Sequence, residues 1–334
     1  MSAAETLLSV DGLEVAYPSG GGIFSRKTPF VAARDVSFSI GAGETFGLVG
    51  ESGSGKTTVG RAILRLAPIT SGTVHFDGAD VGAYGKATPL SYRRAVQMVF
   101  QDPRSSLNPR HTVAKILGQV VARHHAVEAA ERREIVDDLL DSVQLARYQA
   151  QRYPSELSGG QRQRVAIAHA LATRPRLIVC DEAVSALDVS TQGQILNLLQ
   201  DLQAQLGLSY LFISHDLAVV RRVSRAIGVM YRGRLVEIGE TETIYNAPRH
   251  PYTQMLLASV LTPDPAGRSA RRNRRSALRA EAGAQTGTVP KHGCPFQPRC
   301  PMALAVCGRE APPLRRLLDG RLAACHAVDE AVAG

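Results

Sequence analysis

The sequence predicts an α/β fold, a parallel sheet with an antiparallel β-layer before it and a helical insert within it. Three observations carry this. The apolar run Thr45 to Val49 enters the glycine-rich Gly50-Glu51-Ser52-Gly53-Ser54-Gly55-Lys56-Thr57 and then a helix-like run, Val59 to Leu66. A second apolar run, Arg176 to Cys180, lies between Pro175 and Asp181 and has the unbroken hydrophobicity of a strand buried on both faces. Tyr210 to Ile213 follows after a helix lined on one side by Ile195, Leu198, Leu199, Leu202 and Leu206 and stopped by Gly207, which completes a β-α-β unit.

Taken in order, residues 7–16 and 31–40 alternate apolar and polar as strands do, and Pro18 to Pro29 reads as the hairpin loop between them. Thr73 to Phe76 and Val96 to Phe100 are strand-like. Residues near 103–165 form a helical insert, with Ile135, Leu139, Leu140 and Val143 on one helical face. The expected division is 1–261 for the main domain, 262–290 for an arginine-rich linker and 291–334 for a cysteine-rich module. At 334 residues and 44% hydrophobic content the composition is that of a globular protein. No apolar run approaches the roughly 18 residues a membrane span needs, and the N-terminus lacks an export signal, so neither export nor membrane embedding is expected.

The net charge of +9 owes much to Arg268, Arg271, Arg272, Arg274, Arg275 and Arg279 in one polar segment. That segment reads first as a solvated linker and second as a contact for anionic lipid headgroups. No aromatic residues interleave with the arginines, which argues against nucleic acid.

The strand-loop-helix around Lys56 is a phosphate-binding P-loop. Its glycines let successive N–H groups and the helix start at Thr57 and Thr58 point at phosphates, while Lys56 adds charge and Thr57 a hydroxyl ligand for Mg²⁺. Asp181 and Glu182 follow a strand at the carboxyl edge of the sheet, where open α/β folds bind ligands. Asp181 is expected to hold Mg²⁺ through its water shell, and Glu182 to polarise the attacking water as general base. Leu157-Ser158-Gly159-Gly160-Gln161 is another glycine turn feeding a helix, hence a second anion nest. Two nests on separate subdomains cannot share one γ-phosphate, so the second is expected to meet ATP held by another subunit.

With these motifs in place, the chain resembles the nucleotide-binding subunit of an ATP-binding cassette transporter, whose signature is LSGGQ. The resemblance implies that Tyr17 stacks on adenine, that Gln101 senses Mg²⁺ and the membrane partner, that Asp188 communicates across a dimer, and that His215 contacts the γ-phosphate. Two departures stand out. Ala183-Val184 replaces the usual Pro-Thr after the catalytic glutamate, and His169 sits where arginine is common; both bear on dimer contacts or hydrolysis rate.

Phe100 to Arg110, Arg152 to Arg164, His250 to Val260 and the terminal CPFQPRCP are similar to the oligopeptide, dipeptide and nickel importers, and Gly60 to Leu64 is closer to the F-type ATPase of their D/F pair. This implies a D-type sibling ATPase, two membrane permease subunits, an extracytoplasmic binding protein, and a peripheral position on the cytoplasmic face of a prokaryotic plasma membrane. A soluble non-transport cassette ATPase is the remote alternative, and a redox or iron sensor is a compatible addition. Cys294, Cys300, Cys307 and Cys325 crowd the C-terminus with Pro295, Pro298 and Pro301 among them. Four thiols in a reducing compartment point to a metal, yet the short knuckle of structural zinc sites is absent. The resemblance implies a [4Fe-4S] cluster, with zinc the alternative and His326 a substitute ligand. Cys180, in the buried strand, reads as packing.

Overall fold

Two sheets organise the chain, whose computed structural model describes residues 5–18, 29–85, 87–102, 106–259 and 289–328. In the smaller sheet β1 (Thr6–Tyr17) and β2 (Phe30–Gly41) pair antiparallel, with Leu8 opposite Ile40 and Val10 opposite Phe38. Strands β4 (Ser71–Phe76) and β5 (Ala79–Asp80) extend it in the order β2-β1-β4-β5. The interior of the Pro18–Pro29 loop and the arginines from Arg268 to Arg279 lie outside the described residues.

The larger sheet holds β3 (Thr45–Val49), β6 (Val96–Val99), β7 (Leu177–Asp181), β8 (Ser209–Ser214), β9 (Ala226–Tyr231), β10 (Arg234–Glu240), β11 (Arg315–Arg316) and β12 (Leu322–Ala323). Its order is β11-β12-β10-β9-β3-β8-β7-β6, and the run from β9 to β6 is parallel. Successive side chains of a strand point to opposite faces. Accordingly Ile178, Cys180, Tyr210 and Phe212 enter one core, while Leu177, Val179, Leu211 and Ile213 enter the other. Both faces are covered, which is why these strands read as continuous apolar runs.

After α2 (Leu90–Ala95) the insert supplies α3 (Val113–His124), α4 (Ala129–Ser142) and α5 (Gly159–Leu171), these three packed into the first core. In α4 the buried stripe is centred on Val136 and Leu140, with Ile135 and Leu139 only partly covered. The helix after the P-loop, α1 (Lys56–Ile63), begins three residues earlier than its apolar pattern suggests, because Gly55 at φ +103° turns the chain into it. It ends before Leu66, which is exposed. Helix α6 (Val189–Leu206) buries Ile195, Leu198, Leu199 and Leu202, but Leu206, in the last turn beside Gly207 at φ +65°, is exposed.

The C-terminal stretch continues the main sheet. Glu237 and Ile238 of β10 pair with Ala323 and Leu322 of β12, and the Ala324 amide donates to the Val236 carbonyl at 2.9 Å. Cys294, Phe296, Cys300 and Cys307 belong to the same core as the helical insert. A buried carboxylate, Glu237, accepts the Arg249 and His250 amides at 2.8 and 3.0 Å, and the buried Arg321 guanidinium lies 3.7 Å from it. Among the described residues no helix is long and apolar enough to cross a membrane.

Candidate active site

Parallel strands deliver their following loops to one edge, and that topology assembles the site. Residues distant in sequence converge there: Gly50 follows β3, Gln101 lies two residues past β6, Asp181 ends β7 and His215 follows β8.

The P-loop wraps tightly because glycine permits it. A Cβ on Gly50 would lie 2.1 Å from the Met230 carbonyl oxygen, and one on Gly55 would lie 2.3 Å from that of Ala32. Lys56 is buried; its Nζ donates to the carbonyls of Gly50 at 2.8 Å and Glu51 at 2.9 Å and reaches Ser54 Oγ at 3.4 Å. Burial pulls the Lys56 pKa down, while the carboxylates of Glu182, Asp181 and Glu51 pull it back up. Gly53 stands at φ +78° with open space beside it, and Ser52 shares that exposed rim. Thr58 follows in the first turn of α1.

The Thr57 hydroxyl donates to Asp181 Oδ1 at 2.8 Å, so the hydroxyl expected to ligate Mg²⁺ and the carboxylate expected to hold its water shell are already adjacent. Burial raises the Asp181 pKa, and its bond from Thr57 opposes that. Glu182 is the turning point after β7. It stands at φ +49°, and its amide donates to the Ile213 carbonyl at 2.9 Å. The Gln101 side-chain amide donates to Glu182 Oε2 at 3.0 Å, and His215 Nδ1 stands 3.4 Å from Oε1. Gln101, Glu182 and His215 therefore form one cluster beside the Thr57–Asp181 pair. Phosphate-facing amides, a buried cation, a hydroxyl–carboxylate pair and a bracketed carboxylate make an arrangement able to bind MgATP and activate a water.

Tyr17 is half-buried at the end of β1. The Ser158-Gly159-Gly160-Gln161 turn starts α5 with a reciprocal cap: Ser158 Oγ accepts the Gln161 amide at 3.2 Å and Gln161 Oε1 accepts the Ser158 amide at 2.9 Å. Asp188 caps α6, accepting the Thr191 amide at 2.9 Å and the hydroxyls of Thr191 and Ser190 at 2.7 and 2.5 Å; these bonds hold its carboxyl well below the usual range. The two caps touch, since a Cβ on Gly160 would meet Thr191 Cγ2 at 2.5 Å. Gly159 of the signature turn lines a 310 Å³ cavity together with Gln101, Ala183 and Leu187. Ala183 and Val184 are buried inside this chain. His169 lines a 470 Å³ cavity between core and insert, together with Tyr92, Met98, Phe100 and Leu107.

Three participants escaped the sequence reading. Ser185 Oγ donates to the Glu182 carbonyl at 3.0 Å, the Tyr252 hydroxyl accepts the Glu51 amide at 2.9 Å, and Arg299 pairs with the Glu51 carboxylate. Tyr252 and Arg299 sit in motifs visible in sequence, but 201 and 248 residues separate them from Glu51.

Cys294, Cys300, Cys307 and Cys325 are buried, and Cys294, Cys300 and Cys325 each lie close enough to Cys307 to feel its charge. Burial raises the thiol pKa of Cys294 and Cys325 and pushes Cys300 up to about 11. Among the described residues no group of three or more His, Cys, Asp or Glu is placed to hold a metal ion. His326 Nε2 is 3.1 Å from the Glu310 carbonyl oxygen. Cys180 is fully buried and burial pushes its thiol up to about 12, an inert packing residue.

Residues 33–185 match the ABC transporter family profile, and residues 236–307 match the profile of the oligopeptide/dipeptide transporter C-terminal region. A probable peptide ABC transporter ATP-binding protein of Sinorhizobium fredii is 47% identical over 324 residues, 97% of this chain and 90% of the relative. The oligopeptide transport ATP-binding protein AppF of Bacillus subtilis is 44% identical over 98% of this chain and 99% of its own length. Among solved structures, CbiO1 of Clostridium perfringens, part of an ABC transporter complex, superposes with a TM-score of 0.63 at 25% identity, covering 73% of this chain and 92% of that one. A dimeric ATP-binding cassette in a post-hydrolysis state with ADP and Pi gives 0.62 at 29% identity, covering 70% and 98%.

Proposed function

This chain belongs to the ATP-hydrolysing cassettes of the ABC transporter family, and we propose that it powers peptide import through separate membrane permease subunits. The observation that carries the catalytic part is the placement of Glu182 between Gln101 and His215, beside the Thr57–Asp181 pair. The match of residues 236–307 to the oligopeptide/dipeptide region supports a peptide cargo; nickel or another small solute is the second reading.

In this reading the amides from Gly50 to Thr58, with Lys56, hold the triphosphate, and Tyr17 meets adenine. Thr57, Gln101 and, through its water shell, Asp181 would hold Mg²⁺, which would supply charge neutralisation at the phosphates. Glu182 accepts a proton from the attacking water, while His215 orients the γ-phosphate. Ser158, Gly159, Gly160, Gln161 and Asp188 serve the nucleotide of a facing cassette, so two cassettes close on two MgATP and reopen after hydrolysis. The sibling is of the D type, and an extracytoplasmic binding protein delivers cargo. The permeases dock in the groove between core and helical insert, near Gln101, where Phe100 and His169 line a cavity, and the protein works peripherally at the cytoplasmic face of the membrane.

Four buried thiols, those of Cys294, Cys300, Cys307 and Cys325, are the donor type of a [4Fe-4S] cluster, but as placed they do not converge on one metal position, and Cys325 packs in a core separate from the other three. A bound cluster would supply Fe–S bonds tying their loops together. Iron and sulfide in protein purified without oxygen are expected; stoichiometric zinc in colourless protein would replace the cluster with zinc.

The main test is Glu182→Gln. Turnover should fall roughly 10²- to 10⁴-fold with nucleotide affinity nearly intact, and ATP should trap a cassette dimer. Full activity, or a variant that stays monomeric with ATP and its sibling, refutes the reading.

A further inference from the structure

The cysteine-bearing stretch reaches the P-loop through Arg299. Arg299, one position before Cys300, forks onto Glu51, with Nη1 2.9 Å from Oε2 and Nη2 2.9 Å from Oε1. The guanidinium is itself held, 5.8 Å from the ring centroids of both Tyr231 and Phe296, and its Nη1 is 3.5 Å from the Tyr231 hydroxyl. A planar bidentate pair fixes direction as well as charge. Glu51 is further tied through its backbone, its amide to Tyr252 and its carbonyl to Lys56 Nζ. Its carboxylate is one of three whose charge Lys56 feels. Left unpaired, that charge would compete for Lys56 and repel a polyanion from the loop built to receive it.

We propose that Arg299 is a positioning residue for nucleotide binding: by neutralising and anchoring Glu51 it lets the C-terminal stretch set the affinity of the P-loop for ATP. This rests on the nucleotide-binding reading above and assigns to that site a control point outside the ATP-binding motifs. Loosening of the stretch is thereby transmitted to the P-loop through one guanidinium.

The test is equilibrium ATP binding and steady-state hydrolysis with the full chain, as wild type, Arg299→Ala, Arg299→Lys, Glu51→Gln and the Glu51→Gln/Arg299→Ala double variant. Arg299→Ala should weaken ATP binding and raise KM about 5- to 20-fold, at the lower end of site-to-site couplings because both side chains are part-exposed, with kcat nearly unchanged. The loss should shrink as salt rises. Arg299→Lys should fall between. Glu51→Gln should relieve the defect in the double variant, since no charge then needs a partner. Unchanged affinity in Arg299→Ala overturns the inference, and so does a defect that Glu51→Gln fails to relieve, which would make Arg299 a packing residue only. A thermal unfolding midpoint near wild type separates either result from misfolding. Wild-type protein that binds no ATP overturns the nucleotide-binding reading itself, and this inference with it.

Discussion

Acid should undo the docking of the C-terminal stretch through His250, and the size of the effect follows from its surroundings. The ring is 2% exposed. Its Nδ1 accepts the Tyr252 amide at 3.0 Å, it hydrogen-bonds to the Ala324 backbone, and it lies 5.8 Å from Phe296. Burial drops its pKa from 6.5 to about 4. The unfolded imidazole takes its proton near pH 6.5 and the folded one only near 4. Between those values the unfolded state holds more protons, so stability rises with pH; the contribution is complete above about 6.5 and is lost as pH falls toward 4. At ~1.4 kcal/mol per pH unit the full loss is about 3 kcal/mol. Buried Glu237 nearby works in the opposite sense, because burial raises its pKa and favours its protonated form in the fold. Comparing wild type with His250→Gln isolates the histidine, since glutamine keeps a donor and an acceptor without titrating. Urea unfolding at about pH 7 and about pH 4.5 should show wild type losing about 2 to 3 kcal/mol more than the variant. A difference between the two proteins that does not change with pH would refute the reasoning.

Other expectations follow from the same packing. Phe296→Ala empties a site enclosed by Tyr231, Tyr252 and His250; it should cost about 3 to 5 kcal/mol in chemical unfolding, and a loss below about 1 kcal/mol would contradict the packing. Lys56→Ala should abolish tight ATP binding measured by calorimetry, and unchanged affinity would remove the P-loop assignment. Gly55→Ala and Gly53→Ala both place alanine at positive φ, costing about 1 to 2 kcal/mol, but only at Gly55 does the Cβ strike backbone, 2.3 Å from the Ala32 oxygen. Gly55→Ala should therefore lose nucleotide binding and stability clearly beyond Gly53→Ala, and equal losses would refute that ranking.

Much of the site was legible because local chemistry demands local spelling. A loop that presents amides to phosphates needs glycines at set positions, so Gly50 to Thr57 could be read directly. A strand buried on both faces needs a continuous apolar run, so β7 and β8 could be read with Asp181 and Glu182 at their edge. Helix faces were read less well. Ile135 and Leu206 fit a 3.6-residue pattern, yet Ile135 is half-buried and Leu206 exposed, because the periodicity says which residues share a face and not where the neighbouring layer ends.

The sequence by itself determined the P-loop, the strand-end carboxylates, the signature turn and the family. Each is a pattern within a few residues, where backbone geometry restricts the choice of side chain. Only the tertiary structure decided that Gln101 and His215 bracket Glu182, that Asp188 and Gly160 meet at Thr191, and that the C-terminal stretch extends the main sheet and grips Glu51 through Arg299. Those contacts join residues up to 248 positions apart, and no local preference records them. They are fixed by strand order in the sheet, which brings distant loops to one edge, and by the burial of Phe296 and Tyr252, which holds the last part of the chain against the first.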